Sequence, residues 1–244
     1  MEEVRRAENG YGNVNLGQGQ QMMVEYVSVN PTGPVHVGHA RGAVLGSSLA
    51  NILSAAGYRV TQEYYVNDAG SQMQAFYGSV YARYLQSLGQ EAEMPANGYA
   101  GEYIAELAED IADSEGTRFI DMEEAKALGE MGDIAREKMI SLIRDDLTHI
   151  GVDFDIWFSE RTLFDQGDYE QALKLLKEKE YLSEREDAVW FNSTQLGDDK
   201  DNVVIRSSGE PTYFASDIAY HYNKFLVREF HSVVDIWGAC LLYT

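Results

Sequence analysis

The stretch Asn30-Pro-Thr-Gly-Pro-Val-His-Val-Gly-His-Ala-Arg-Gly42 decides the fold. It follows an apolar extended run, MMVEYVSV at residues 22–29, and opens a helical pattern over residues 40–56. Pro31 and Pro34 forbid helix until about Val37. From Ala40 onward Val44, Leu45, Leu49, Ile52, Leu53 and Ala56 keep helical spacing, and Gly57 supplies the stop. A second extended run, residues 58–66, ends in the turn Asn67-Asp68-Ala69-Gly70. Strand, helix and strand of these lengths predict a right-handed βαβ unit with parallel strands. Its ligand belongs at the carboxyl ends of the strands, where residues 30–42 lie. A strand that turns through glycine into a helix presents backbone N–H groups and a positive dipole end to an anion. His36 and His39, three apart at that turn, add two side-chain donors suited to a phosphate.

Two other readings of the histidine pair are open on spacing alone. His39 caps or packs locally and His36 is incidental, or the pair ligates a metal. No carboxylate or cysteine lies close in sequence to complete a metal set.

Outward from this segment, the glycines at 10, 12, 17 and 19 make residues 1–20 a lead-in loop, and residues 21–70 the first half of a nucleotide-binding α/β domain. Residues 71–150 read as a helical insertion. Met73, Phe76, Tyr77, Val80, Tyr81, Tyr84 and Leu88 make one apolar helix face; Tyr103, Ile104, Leu107 and Ile111 mark a second helix; residues 128–150 form a third, stopped by Gly151. Residues 151–187 continue the α/β domain, with a strand at 154–158 and a helix at 169–179. Residues 188–214 form a small β insertion: 188–192 and 202–206 pair antiparallel around the acidic loop GDDKD, and SSGEP at 207–211 is the next turn. Residues 215–244 hold a helix at 216–224, with Ser216 as N-cap, and a strand at 232–237 running into Gly238.

Composition narrows the function class. Forty acids against 19 bases give a net charge of −21, which opposes a broad nucleic-acid surface on this chain. The acidity also suits a cationic small substrate or an acidophilic or salt-adapted host, and a solvated acidic surface is expected to account for most of it. The single cysteine, Cys240, excludes an internal disulfide framework and a Cys-rich zinc site. No apolar run is long enough for a bilayer span, and MEEVRRAENGYGN is too polar for a signal peptide. A cytoplasmic, monomeric protein without membrane contact is expected.

Two quoted segments, VEYVSVNPTGPVHVGHARGAVLG at 24–46 and YYVNDAGSQM at 64–73, resemble the arginyl-tRNA synthetases. Within the first, His36-Val37-Gly38-His39 is similar to the HIGH signature of class I aminoacyl-tRNA synthetases. Other adenylyl-transferring enzymes share a bare HxGH, so the extended match carries the resemblance. It implies an α/β fold: a HIGH-type, Rossmann-like parallel sheet with a helical insertion and a small β insertion. It also implies ATP-dependent activation of L-arginine to arginyl-adenylate, with Mg²⁺ accompanying ATP, and transfer to tRNA(Arg). His36 and His39 would be catalytic, stabilising the α-phosphate. ATP would be held by Gly33, Pro34, His36, Gly38, His39, Trp237 and Gly238.

A guanidinium has five donors and a fixed charge, so it needs carboxylates. The resemblance assigns arginine binding to Asn30, Asn67, Asp68, Gln72, Glu160, Tyr213 and Asp217. Their residue types alone also fit an ordinary turn at 67–70, a surface acid at Glu160 and a helix acid at Asp217 facing the macrodipole. His221 reads as a helix residue with a structural partner.

The sequence departs from the family in places. After the last strand the family reads roughly GADHxG, which holds the ATP ribose and adenine; here residues 238–244 are GACLLYT. By the resemblance, the KMSKS loop, the N-terminal tRNA-binding domain and the helical anticodon-binding domain are expected to lie outside this sequence, and Ser47 stands where relatives usually carry Asp. The expectation is an incomplete catalytic fragment with weakened ATP affinity. The alternatives are an inactive arginine-binding fragment or another HxGH adenylate-forming enzyme.

Overall fold

A computed structural model describes residues 2–237. In chain order the elements are α1 (Glu2–Ala7), β1 (Gln21–Tyr26), α2 (Val37–Ala55), β2 (Arg59–Val66), α3 (Ser71–Ser87), α4 (Glu102–Glu115) and α5 (Glu124–His149). There follow β3 (Ile156–Ser159), α6 (Arg161–Asp165), α7 (Asp168–Glu178), β4 (Leu182–Arg185), β5 (Ala188–Phe191), β6 (Asn202–Ile205), α8 (Tyr213–Tyr222) and β7 (Ser232–Ile236). They form two compact units, residues 2–25, 49–63 and 156–235 in one and 26–48, 64–155 and 236–237 in the other.

The first unit carries a parallel four-stranded sheet in the order β3-β2-β1-β7. Gln21 lies opposite Arg59, and Glu25 opposite Glu63. The two glutamates are therefore neighbours on adjacent strands, and both are buried. Two buried like charges need cations, and the segment after α8 supplies them. There the helix widens into a π-type turn, Asn223–Val227. The Lys224 ammonium lies 2.6 Å from Glu25 Oε2 and 2.7 Å from Asp235 Oδ1. Arg228 grips Glu63 through both terminal nitrogens, and the Tyr220 hydroxyl donates to the same carboxylate. The same unit holds the antiparallel sheet β4-β5-β6, with Leu182 opposite Phe191 and Trp190 opposite Val203.

The second unit packs α3, α4 and α5 around Met73, Phe76, Val80, Ile104, Ile111, Met131 and Ile143. The face expected on α3 is the buried one at Met73, Phe76, Tyr77, Val80 and Tyr84, with Tyr81 and Leu88 half-buried. Helix α2 also packs, but through small residues. Ala43 and Gly46 are buried while Val44 and Leu45 are exposed, and a Cβ at Gly46 would run into the Tyr26 ring.

Several expectations are corrected. Residues 1–20 are not all loop: α1 and a 3₁₀ turn at Glu8–Gly10 precede the irregular stretch. The segment EEVRRA opens with acids and closes with bases, which suits the macrodipole, and it buries nothing. Strand β1 ends at Tyr26 rather than Val29, because Val27 (φ 66°) and Ser28 (φ 42°) enter the left-handed region. Helix α5 starts at Glu124, ahead of the expected 128. Helix α8 starts at Tyr213, after Thr212, so Ser216 is an interior, buried helix residue and not the N-cap. The β insertion has a third strand, β4, whose short LSER segment gives no clean alternation. Gly238 and Cys240 lie outside the described residues.

Candidate substrate site

After β1 the chain passes through the two left-handed residues Val27 and Ser28, and β2 holds this segment. The Tyr65 amide donates to Ser28 Oγ at 3.0 Å, and the Tyr64 hydroxyl donates to the Val29 carbonyl at 2.8 Å. Left-handed φ at a β-branched residue is strained and is kept only where the surroundings impose it. Farther along, the Tyr103 hydroxyl of α4 donates to the Thr32 carbonyl at 2.9 Å, and a Cβ at Gly33 would sit 3.2 Å from that hydroxyl.

At the start of α2 the two histidines stack, ring centroids 3.6 Å apart with planes 24° from parallel. Backbone amides determine their proton arrangement. Gly38 N donates to His36 Nδ1 at 3.1 Å, and His36 N donates to His39 Nδ1 at 3.3 Å. Both Nδ1 atoms therefore accept, which leaves each Nε2 as the N–H donor. Burial, then the neighbouring His36, holds the His39 imidazole below its ordinary value. Two N–H donors at a helix N-terminus can meet an anion such as a phosphate. Gly38 has a local reason as well: a Cβ there would approach the His36 ring to 2.8 Å, tighter than side chains tolerate.

Other residues of the same unit join this region. Asn30 Nδ2 donates to Gln72 Oε1 at 2.5 Å, so the structure brings together two residues 42 apart. Asn67 is half-buried at the end of β2. Asp68 is buried and accepts from Arg136 Nη1 of α5 at 3.3 Å, which uses part of its charge inside the unit. Arg136 carries no signal in the sequence, because its partner lies 68 residues away. Pro34 is exposed, and Trp237 is exposed at the end of the described chain.

In the other unit Glu160 is buried at the start of α6, which packs against α8. Tyr213, Asp217 and His221 fall at i, i+4 and i+8 of α8 and so share one face. Tyr213 is 61% exposed, leaving its ring open to a ligand. Burial pushes the Asp217 carboxyl up, while His221 and Lys224 oppose that. A carboxylate beside an open tyrosine on one helix face suits a planar cation. Among the described residues no group of three or more His, Cys, Asp and Glu is arranged to hold a metal ion.

The sequence matches the model of the family described as tRNA synthetases class I (R), catalytic domain, over residues 3–237. The chain belongs to that family. It is 54% identical over 229 residues to an arginine–tRNA ligase of Dehalococcoides mccartyi, covering 94% of this chain and 41% of the relative. A second arginine–tRNA ligase, from Carboxydothermus hydrogenoformans, is 49% identical over 94% of this chain and 41% of its own length. A crystal structure from Campylobacter jejuni, assigned there as an arginyl-tRNA synthetase, superposes with a TM-score of 0.86 at 36% identity. It covers 97% of this chain and 51% of that one. The α/β fold with a parallel sheet is thus that of the class I synthetases. This chain spans about 41% of the length of the curated relatives it matches.

Proposed function

We propose that this chain is the part of an arginine–tRNA ligase that activates the amino acid. The observation that carries the reading is the stacked His36–His39 pair, with both Nε2 donors free of the backbone bonds that occupy Nδ1, in a chain of this family. The arginine carboxylate attacks the α-phosphate of ATP, the bond to the β-phosphate oxygen breaks, and pyrophosphate leaves. Charge spreads over the α-phosphate oxygens in the transition state. Donors preorganised at that point lower the barrier without forming a covalent bond. The His36 and His39 Nε2–H groups and the start of α2 take this role. Gly33, Pro34 and Gly38 shape the turn; Trp237 and Gly238 belong to the nucleotide side. Mg²⁺ would accompany ATP and would supply charge neutralisation at its phosphates.

Glu160 and Asp217 take the guanidinium and Tyr213 packs on its plane, which explains a preference for arginine over lysine. Asn30, with Gln72 and the 67–68 turn, takes the main-chain end of the amino acid. Transfer to tRNA(Arg) is the second step of the whole ligase, and a cytoplasmic monomer is the setting in which we place it. Among the described residues no helix is long and apolar enough to cross a membrane.

The test is a thermal-shift survey of this chain against the common amino acids, with and without ATP. L-arginine alone should raise the melting temperature, and Asp217→Ala should abolish the rise. Equal stabilisation by another amino acid would assign a different specificity.

A further inference from the structure

We propose that His221 is a positioning residue of the guanidinium subsite: as an imidazolium it holds Asp217 and makes arginine affinity depend on pH. The inference rests on the reading of Asp217 as a guanidinium ligand. His221 follows Asp217 by one turn on the same face of α8. Its Nδ1 lies 2.9 Å from the Asp217 carbonyl oxygen and 3.6 Å from Asp217 Oδ1. Its Nε2 lies 3.2 Å from Asp235 Oδ2 on β7. Both ring nitrogens therefore face oxygens that have no proton to donate. A neutral imidazole carries one N–H and would set a lone pair against an oxygen on the other side; the doubly protonated ring satisfies both.

The surroundings support that charge. On its own helical segment His221 meets Asp217, the Tyr220 ring and, more remotely, Lys224; from β7 it meets Asp235. Lys224 is itself engaged by Asp235 and by Glu25 of β1. The hydrogen bond to Asp235 is the largest influence on the ring and holds it above its ordinary value, with burial opposing. Asp235 thus anchors the ring from the sheet, and the imidazolium shares the Asp217 carboxylate that a guanidinium would take.

An arriving guanidinium is a fixed cation on the same carboxylate. Bound arginine therefore disfavours the imidazolium, and by reciprocity loss of the His221 proton tightens arginine binding. Affinity should rise with pH through the range above 6.5 in which His221 titrates. Ionisation of Asp217, whose carboxyl burial pushes up, acts in the same direction, and the NMR titration of the His221 ring separates the two.

The experiment combines calorimetry of L-arginine binding to this chain between about pH 5.5 and 8 with NMR titration of the His221 ring, free and with arginine. The expected results are a roughly fivefold tightening of arginine across the window, a downward move of the His221 titration on binding, and a flat pH profile in His221→Gln. A His221 titration indifferent to bound arginine, or an unchanged pH slope in His221→Gln, overturns the proposal while leaving the guanidinium assignment intact. A folded wild-type chain that binds no arginine at any pH overturns the assignment of Asp217, and this proposal with it. If His221→Gln does not fold, the wild-type NMR titration alone decides.

Discussion

Lys224 is wholly buried, and its ammonium lies 2.6 Å from Glu25 Oε2 and 4.0 Å from the centroid of the Tyr220 ring. A desolvated cation is tolerated only with such partners. Lys224→Met should take from Glu25 and Asp235 the buried ammonium they share and cost about 3–5 kcal/mol in urea unfolding. A loss below about 1 kcal/mol would mean that water reaches the two acids and that the network is not closed.

Gly38→Ala should leave the fold intact and move the His36 ring, since the added Cβ meets it at 2.8 Å. The two Nε2 donors proposed for the phosphate then lose their stacked arrangement. ATP affinity should drop roughly tenfold, in keeping with the loss of one charge-assisted hydrogen bond. Unchanged ATP binding in a variant of wild-type melting temperature would remove His36 from the nucleotide site.

Gly46→Ala tests how α2 seats. Its Cβ runs into the Tyr26 ring, so the helix must shift by some tenths of an ångström. The expected cost is about 1–3 kcal/mol by chemical denaturation, the range for overpacking. A neutral substitution would mean that Tyr26 swings aside freely. That ring is packed against Phe154 at 4.5 Å, and burial, with Asp155 and Asp153, pushes its hydroxyl up to about 12, so free movement is not expected.

Stability should depend on pH through Asp235 and His221. Asp235, bonded to His221 and Lys224, sits at about 2, below its ordinary 3.8. Its contribution, about 2 kcal/mol, is present above pH 3.8 and disappears as pH falls toward 2. His221 is raised, so its contribution is complete below pH 6.5 and is lost as pH rises through the folded-state value. Unfolding free energy should therefore decline on both sides of a plateau between about pH 4 and 6.5. His221→Gln should remove the alkaline decline while retaining the acid one. An alkaline limb that persists in His221→Gln would assign it to another group.

The βαβ core was legible because local signals agree. Two prolines delay the helix, Gly57 ends it at φ +89°, and two apolar runs flank it. The same holds for α3, whose apolar stripe is the buried one. What was not legible depends on topology. Nothing in Val27-Ser28 announces a left-handed pair; Tyr64 and Tyr65 of the neighbouring strand hold it in place. Arg136 meets Asp68, and Lys224 meets Glu25, only because the fold joins residues 68 and 199 apart in sequence. Helix α1 was hidden by the glycines that follow it. For the candidate site, the sequence placed the helix start at Ser216 and left Tyr213 outside it; α8 starts at Tyr213, which puts Tyr213, Asp217 and His221 on one face, and the partner Asp235 came into view only with β7 in place.

The central claim, an arginine subsite built on Asp217, is tested most directly by calorimetric titration of L-arginine into this chain, with citrulline and L-lysine as controls. Citrulline keeps the shape of arginine and loses its charge; lysine keeps the charge and loses the planar fork. Arginine alone should bind, and Asp217→Ala should abolish its binding. A folded chain that binds citrulline as well as arginine, or that binds neither, would contradict that claim.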